Sequence, residues 1–136
     1  MKNVQYVIWN DSYSVGVAAI DSQHQQVLKI LNTLHSSSIG DGCAKDLENC
    51  MLKLWIFTVT HFQYEETLLR LLHYEKIGEH VKLHEWMKRE TRRHLDDVKS
   101  GKGDFLETLH FVKEWWIKHI NEEDRQYAAL AASLEL

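Results

Sequence analysis

Between residues 47 and 72, Leu47, Met51, Leu54, Thr58, His61, Glu65, Leu68 and Leu72 recur at steps of three and four. That spacing puts all eight on one face of a helix about seven turns long. The 136-residue chain contains no proline, so nothing forces such a helix to break. A long helix with an apolar stripe must bury it against other elements, which points to a helical bundle. The stripe is unusual in one respect: a histidine and a glutamate interrupt it.

Three further segments repeat the pattern. His24, Val27, Leu28, Leu31 and Leu34 form one stripe. Ile77, His80, His84, Met87, Thr91 and Val98 form another, and Phe105, Leu109, Val112, Trp116 and His119 a third. Glycines at Gly40-Asp41-Gly42, near Gly78 and at Gly101-Lys102-Gly103 punctuate the chain between them. These signals predict an all-α fold, an up-down-up-down antiparallel four-helix bundle in a single domain spanning residues 1–136, with helices at about 21–38, 43–74, 77–99 and 104–130. Ser22 with Gln25 reads as a capping box for the first helix, and Asp104 as the N-cap of the last. Residues 1–20 have no partner strand and are expected as an extended arm lying on the bundle. Ala128–Leu136 is read either as a continuation of the last helix or as an appended tail.

A net charge of −4 disfavours a nucleic-acid surface, which needs basic residues to neutralise phosphates. The basic run Lys82, Lys88, Arg89, Arg92 and Arg93 is read as a solvated helix face. No long apolar run and no signal-peptide pattern occur, so the expectation is a soluble cytoplasmic protein without membrane insertion. Cys43 and Cys50 lie seven residues apart, about 10 Å along one helix. That exceeds the reach of a disulfide, and both are expected as buried thiols.

Short connections make neighbouring helices antiparallel. His24 near the start of the first helix, His61 and Glu65 toward the end of the second, His80 and His84 near the start of the third, and His119 and Asp124 toward the end of the fourth then share one level of the bundle. Desolvating seven such groups costs several kcal/mol each, of order, unless something pairs them. Two of the pairs are four residues apart and share a helix face. His119 and Asp124 are five apart, about 140° off on an ideal helix, and need a local tightening, a bulge or a reach across the cluster. Five imidazoles and two carboxylates without a thiolate suit iron or manganese better than a structural zinc site, and seven donors are too many for one ion. His35, His73, His94 and His110 fall off this level.

The ordered strings Tyr13-Ser14-Val15-Gly16-Val17, Ile20-Asp21-Ser22-Gln23-His24, His61-Phe62-Gln63-Tyr64-Glu65-Glu66, His80-Val81-Lys82-Leu83-His84 and His119-Ile120-Asn121-Glu122-Glu123-Asp124 resemble the bacterial hemerythrins along nearly the whole chain. The resemblance implies two iron ions, Fe2+ or Fe3+. One would be held by His80, His84 and His119 and the other by His24 and His61, with Glu65, Asp124 and an oxo or hydroxo group as bridges. It implies reversible dioxygen binding, as a hydroperoxide on the five-coordinate iron, for oxygen storage or delivery. Dioxygen is then the ligand, an oxygen-consuming enzyme the recipient, and the protein a monomer that is not itself an enzyme. The alternatives are an oxygen or redox sensor, or a di-iron oxidase or peroxidase, on the same bundle; a bundle holding zinc or nothing is a third. Departures from the family's usual pattern are Tyr74-Glu75, Ala18-Ala19 and Met87, the last of which is expected to loosen the packing behind His84. Trp116 and Phe62 are candidates for the walls of an oxygen pocket or for plain core aromatics.

Overall fold

The computed structural model describes residues 6–39 and 44–133. Its helices are α1 (Ala18–Ile39), α2 (Ala44–Leu71), α3 (Ile77–Lys99), α4 (Phe105–Lys118) and α5 (Arg125–Ser133), the last two joined by a π-helical segment, His119–Asp124. Since α4, the π segment and α5 run on without a break, the architecture is the expected four-helix bundle: α1 packs on α2 and α4, and α3 packs on α2 and α4. Among the described residues there is no strand, and no helix is long and apolar enough to cross a membrane.

The expected arm ends sooner than residue 20, because α1 starts at Ala18 rather than at Asp21 or Ser22. The capping group is not Ser22. The Asp21 carboxylate reaches back out of the first turn, accepting from Val15 N at 2.8 Å and from Ser14 Oγ at 2.5 Å. The arm contains a 3-10 turn at Asp11–Tyr13. Asn32 clamps its outer part to α1, accepting from Val7 N at 2.8 Å and donating to Val7 O at 2.7 Å.

The second helix stops at Leu71 rather than at residue 74. Tyr74 N donates to Leu69 O and His73 N to Arg70 O, which is the Schellman arrangement, and His73 takes the left-handed position with φ 53°. Glycine normally fills that position, as Gly101 does after α3 with φ 81°. There Lys102 N donates to Asp97 O and Gly101 N to Val98 O. Gly78, expected near a connection, lies inside the first turn of α3. Asp104 caps α4 as expected, its Oδ1 accepting from Leu106 N at 2.8 Å and Glu107 N at 3.2 Å. Cys50 is a half-buried free thiol; Cys43 lies outside the described residues.

The stripes face inward, with Val27, Leu28, Leu31, Leu34, Met51, Leu54, Met87, Leu109, Val112 and Trp116 all buried. They belong to a large apolar cluster at one end of the bundle. Val15, Val17, Ile20, Leu69, Leu72, Tyr127 and Ala131 form a smaller one at the other. In α1, α2 and the last helix the polar groups fall between the two clusters: His24 between Ile20 and Val27, Glu65 between Phe62 and Leu69, Asp124 between Trp116 and Tyr127. Apolar plugs above and below keep water from a polar layer that the helices alone could not pair.

Candidate metal centre

All seven side chains expected at one level meet there, and all are buried: His24, His61, Glu65, His80, His84, His119 and Asp124. They form two groups that share Glu65. One is Glu65, His80, His84 and His119; the other is His24, His61, Glu65 and Asp124, and within each the donor atoms lie within 4.8 Å of one another.

The two carboxylates divide their oxygens between the two sets of imidazoles. Glu65 Oε1 lies 2.7 Å from His80 Nε2, 3.0 Å from His84 Nε2 and 3.7 Å from His119 Nε2. Its other oxygen, Oε2, lies 3.6 Å from His61 Nε2 and 4.0 Å from His24 Nε2. Asp124 does the same: Oδ1 is 3.0 Å from His80 Nε2 and 3.1 Å from His119 Nε2, while Oδ2 is 3.0 Å from His24 Nε2. Each carboxylate therefore spans from a three-imidazole side to a two-imidazole side.

Asp124 reaches this position because residues 119–124 are π-helical. An i→i+5 turn brings a side chain back after five residues, so the five-step spacing is met by a bulge, one of the three routes open from sequence. The remaining pairs use ordinary α-helical four-step spacing on α2 and α3.

As a purely hydrogen-bonded cluster the layer is poorly satisfied. His24 Nε2, His61 Nε2 and both Asp124 oxygens are buried without an acceptable hydrogen bond. The Nε2 atoms of His84 and His119 face each other at 3.2 Å. Two donors at right angles, each about 2.1 Å from one ion, stand about 3 Å apart, so these distances fit the edges of coordination shells. Orphaned lone pairs, an imidazole-to-imidazole contact and split carboxylates all fit a pair of metal ions held between the two sides.

Electrostatics follow the same division. Burial alone would raise Glu65, but the imidazoles of His119, His80 and His84 around it hold its carboxyl well below the usual range. Burial and Glu65 would likewise raise Asp124, yet His119 and His24 outweigh them and keep it ionised. On the three-imidazole side, burial lowers His80 and His119, but the carboxylates prevail and raise them to about 9 and about 10. On the other side burial wins, and His61 falls to about 3.

A ring of residues not singled out from sequence orients these ligands. His61 Nδ1 donates to Gln23 Oε1 at 2.5 Å and His84 Nδ1 to Glu66 Oε2 at 2.8 Å. His119 Nδ1 faces Glu123 Oε2 at 3.8 Å, and the Tyr127 hydroxyl donates to Glu65 Oε2 at 2.9 Å. Spacing could have found one of them: Glu123 is four residues after His119 and shares its helix face, whereas Gln23, Glu66 and Tyr127 reach their partners from other helices.

Aromatic rings close the layer. Phe62 stacks flat on His84, centroids 3.9 Å apart at 5°, and Trp115 stacks on His119 at 4.4 Å and 16°. Trp116 lies 5.5 Å from His61 and 6.4 Å from His24. Met87 is fully buried, and Phe62 covers one face of His84. The other histidines stand apart: His73 and His110 are exposed, His35 stacks on Tyr6 and His94 leans on Phe111.

Comparison with known proteins agrees with this geometry. The family described as hemerythrin HHE cation binding domain matches residues 15–131. A bacteriohemerythrin of Pseudomonas paraeruginosa (strain DSM 24068 / PA7) is 30% identical over 124 residues, 90% of this chain and 79% of that one. A bacteriohemerythrin of Clostridium acetobutylicum is 25% identical, covering 88% of this chain and 97% of its own. Among solved structures, wild-type hemerythrin superposes with a TM-score of 0.83 at 22% identity, over 92% of this chain and 97% of that one, which shows the shared fold. With a family match running from the end of the arm through α5 and bacterial relatives aligned along nine-tenths of its length, the chain belongs to the hemerythrin family.

Proposed function

We propose that the chain holds two iron ions in this layer and binds dioxygen reversibly, storing or delivering it in the cytoplasm rather than turning over a substrate. The observation that carries this reading is the split of Glu65 and Asp124, each offering one oxygen to His80, His84 and His119 and the other to His24 and His61. Three imidazoles on one side and two on the other leave the second side one donor short, and that coordination position is the one an external ligand would take. Held by these seven residues, a pair of ferrous ions would supply the reversible two-electron chemistry that dioxygen binding needs.

The protein's own contributions are positional. Gln23 and Glu66 fix the tautomers of His61 and His84 so that Nε2 faces inward. Tyr127 holds Glu65 from the two-imidazole side. Phe57, Phe62 and Trp116 pack against His61 and keep that side apolar and dry, which disfavours loss of a charged oxygen species to water.

The ligand set also favours binding over oxidation. Bundle di-iron oxidases place a carboxylate on each helix, with Glu-x-x-His pairs on two of them. Here five imidazoles face two carboxylates, a less anionic set that gives less support to highly oxidised iron. The test is anaerobic reconstitution with Fe(II) followed by metal and oxygen analysis. Two irons per chain and one dioxygen taken up per pair support the reading; one iron or none, or continuous oxygen consumption with added reductant, refutes it.

A further inference from the structure

The imidazoles differ in what stands behind them. On the three-imidazole side, His84 Nδ1 donates to Glu66 Oε2 at 2.8 Å in a buried contact. His119 Nδ1 and Glu123 Oε2, 3.8 Å apart, are both buried and otherwise unpartnered. On the two-imidazole side, His61 Nδ1 donates to the neutral amide of Gln23, and His24 Nδ1 has no hydrogen-bond partner. Two carboxylates thus back one half of the centre and one amide the other.

The difference has chemical weight. An amide oxygen fixes an imidazole's tautomer, but a carboxylate also makes the ring a more basic donor and adds negative charge close to the ion. Lys88, itself paired with Glu85 at 2.7 Å, and Arg70 only partly offset the charge on Glu66. Its other oxygen lies 3.7 Å from Arg70, whose side chain is 61% exposed, and solvent screens so exposed a pair. Glu66 itself is only 9% exposed, so its effect on His84 is felt in a low-dielectric surrounding.

Building on the reading that the layer binds two metal ions, we propose that Glu66 is a positioning residue that makes the His80, His84 and His119 half the tighter one. The ions then load in order, this half first and the His24 and His61 half second.

The test is an anaerobic titration of the metal-free protein with Co(II), followed by calorimetry and visible absorption. The wild type shows two resolved steps. Glu66→Gln, which keeps shape and removes charge, weakens the first step by about 10- to 100-fold and leaves the second in place. Gln23→Glu puts a carboxylate behind His61 and tightens the second step, narrowing the gap; this variant tests the ordering independently of whether Glu66→Gln folds. In the zinc-loaded protein, the Nδ1 proton of His84 moves upfield in Glu66→Gln, a shift that a general loss of stability does not produce. A wild type that takes up two ions in one unresolved step, or a Glu66→Gln that weakens both steps equally or neither, overturns the ordering. A wild type that takes up no cobalt overturns the metal-binding reading as well.

Discussion

His119 and Asp124 stand five residues apart, yet His119 Nε2 lies 3.1 Å from Asp124 Oδ1. The π-helical turn between them makes the contact, and it also sends Asp124 Oδ2 to within 3.0 Å of His24 Nε2 on the far side. One side chain therefore serves both halves of the layer. Asp124→Ala is expected to lower metal affinity in both halves, leaving less than one ion per chain after desalting, whereas the wild type retains two. Retention of two ions by Asp124→Ala contradicts a bridging position.

The metal-free protein should be most stable near pH 6.5. Glu65 and Asp124 sit below their ordinary values and His61 falls to about 3. As pH drops, the unfolded chain therefore takes up protons before the folded one, and stability is lost from about pH 6.5 downward. His80 and His119, raised to about 9 and about 10, work in the opposite direction. Their stabilisation is full below about pH 6.5 and is lost as pH rises through those values. Urea melts at pH 4.5, 6.5 and 9.5 read this directly; stability that climbs steadily from 6.5 to 9.5 contradicts it.

Metal loading should release protons. At pH 7 the folded, metal-free protein carries protons on His80 and His119, and an imidazole must be neutral at the nitrogen that binds the ion. Loading with zinc in a weak buffer containing a pH indicator is expected to release about two protons per chain from these rings. No release, or uptake, would show that they are neutral before the metal arrives.

Tyr127 is fully buried, and its hydroxyl donates to Glu65 Oε2 at 2.9 Å. Burial, with Glu65 and Asp124 beside it, pushes its own phenol well above the usual range, so it stays a donor at any ordinary pH. Tyr127→Phe removes a hydrogen bond to a charged acceptor and should cost about 2 kcal/mol in urea unfolding at pH 7. A cost near zero would mean that Glu65 finds its support elsewhere.

The helices and the seven inward groups were legible because period, not detail, specifies them: a stripe that steps by three and four marks a helix face whether its members are leucines or histidines. Asp104 was legible as an N-cap for a similar reason, since its side chain acts on its own backbone neighbours. Element ends that break the local rule were not. His73 occupies a left-handed position that glycine usually fills, so nothing in Leu72-His73-Tyr74 announces the end of α2, while Gly101 announces the end of α3. Asp21 ties the arm to the first turn of α1 through Ser14 and Val15, an interaction that depends on how the arm folds back. The five-step pair showed that something irregular was needed, but only the backbone shows a π turn. Glu66 behind His84, on a different helix, is a tertiary contact that single-helix spacing does not reveal.

The most direct measurement is a gas cycle on the iron-loaded, reduced protein. Its visible spectrum is recorded under argon, then under air, then under argon again, with total iron checked at the end. Reversible dioxygen binding at a two-sided iron pair gives a band that grows in air and vanishes on deoxygenation over repeated cycles without loss of iron. A band that persists under argon, or a protein that stays colourless throughout, contradicts it.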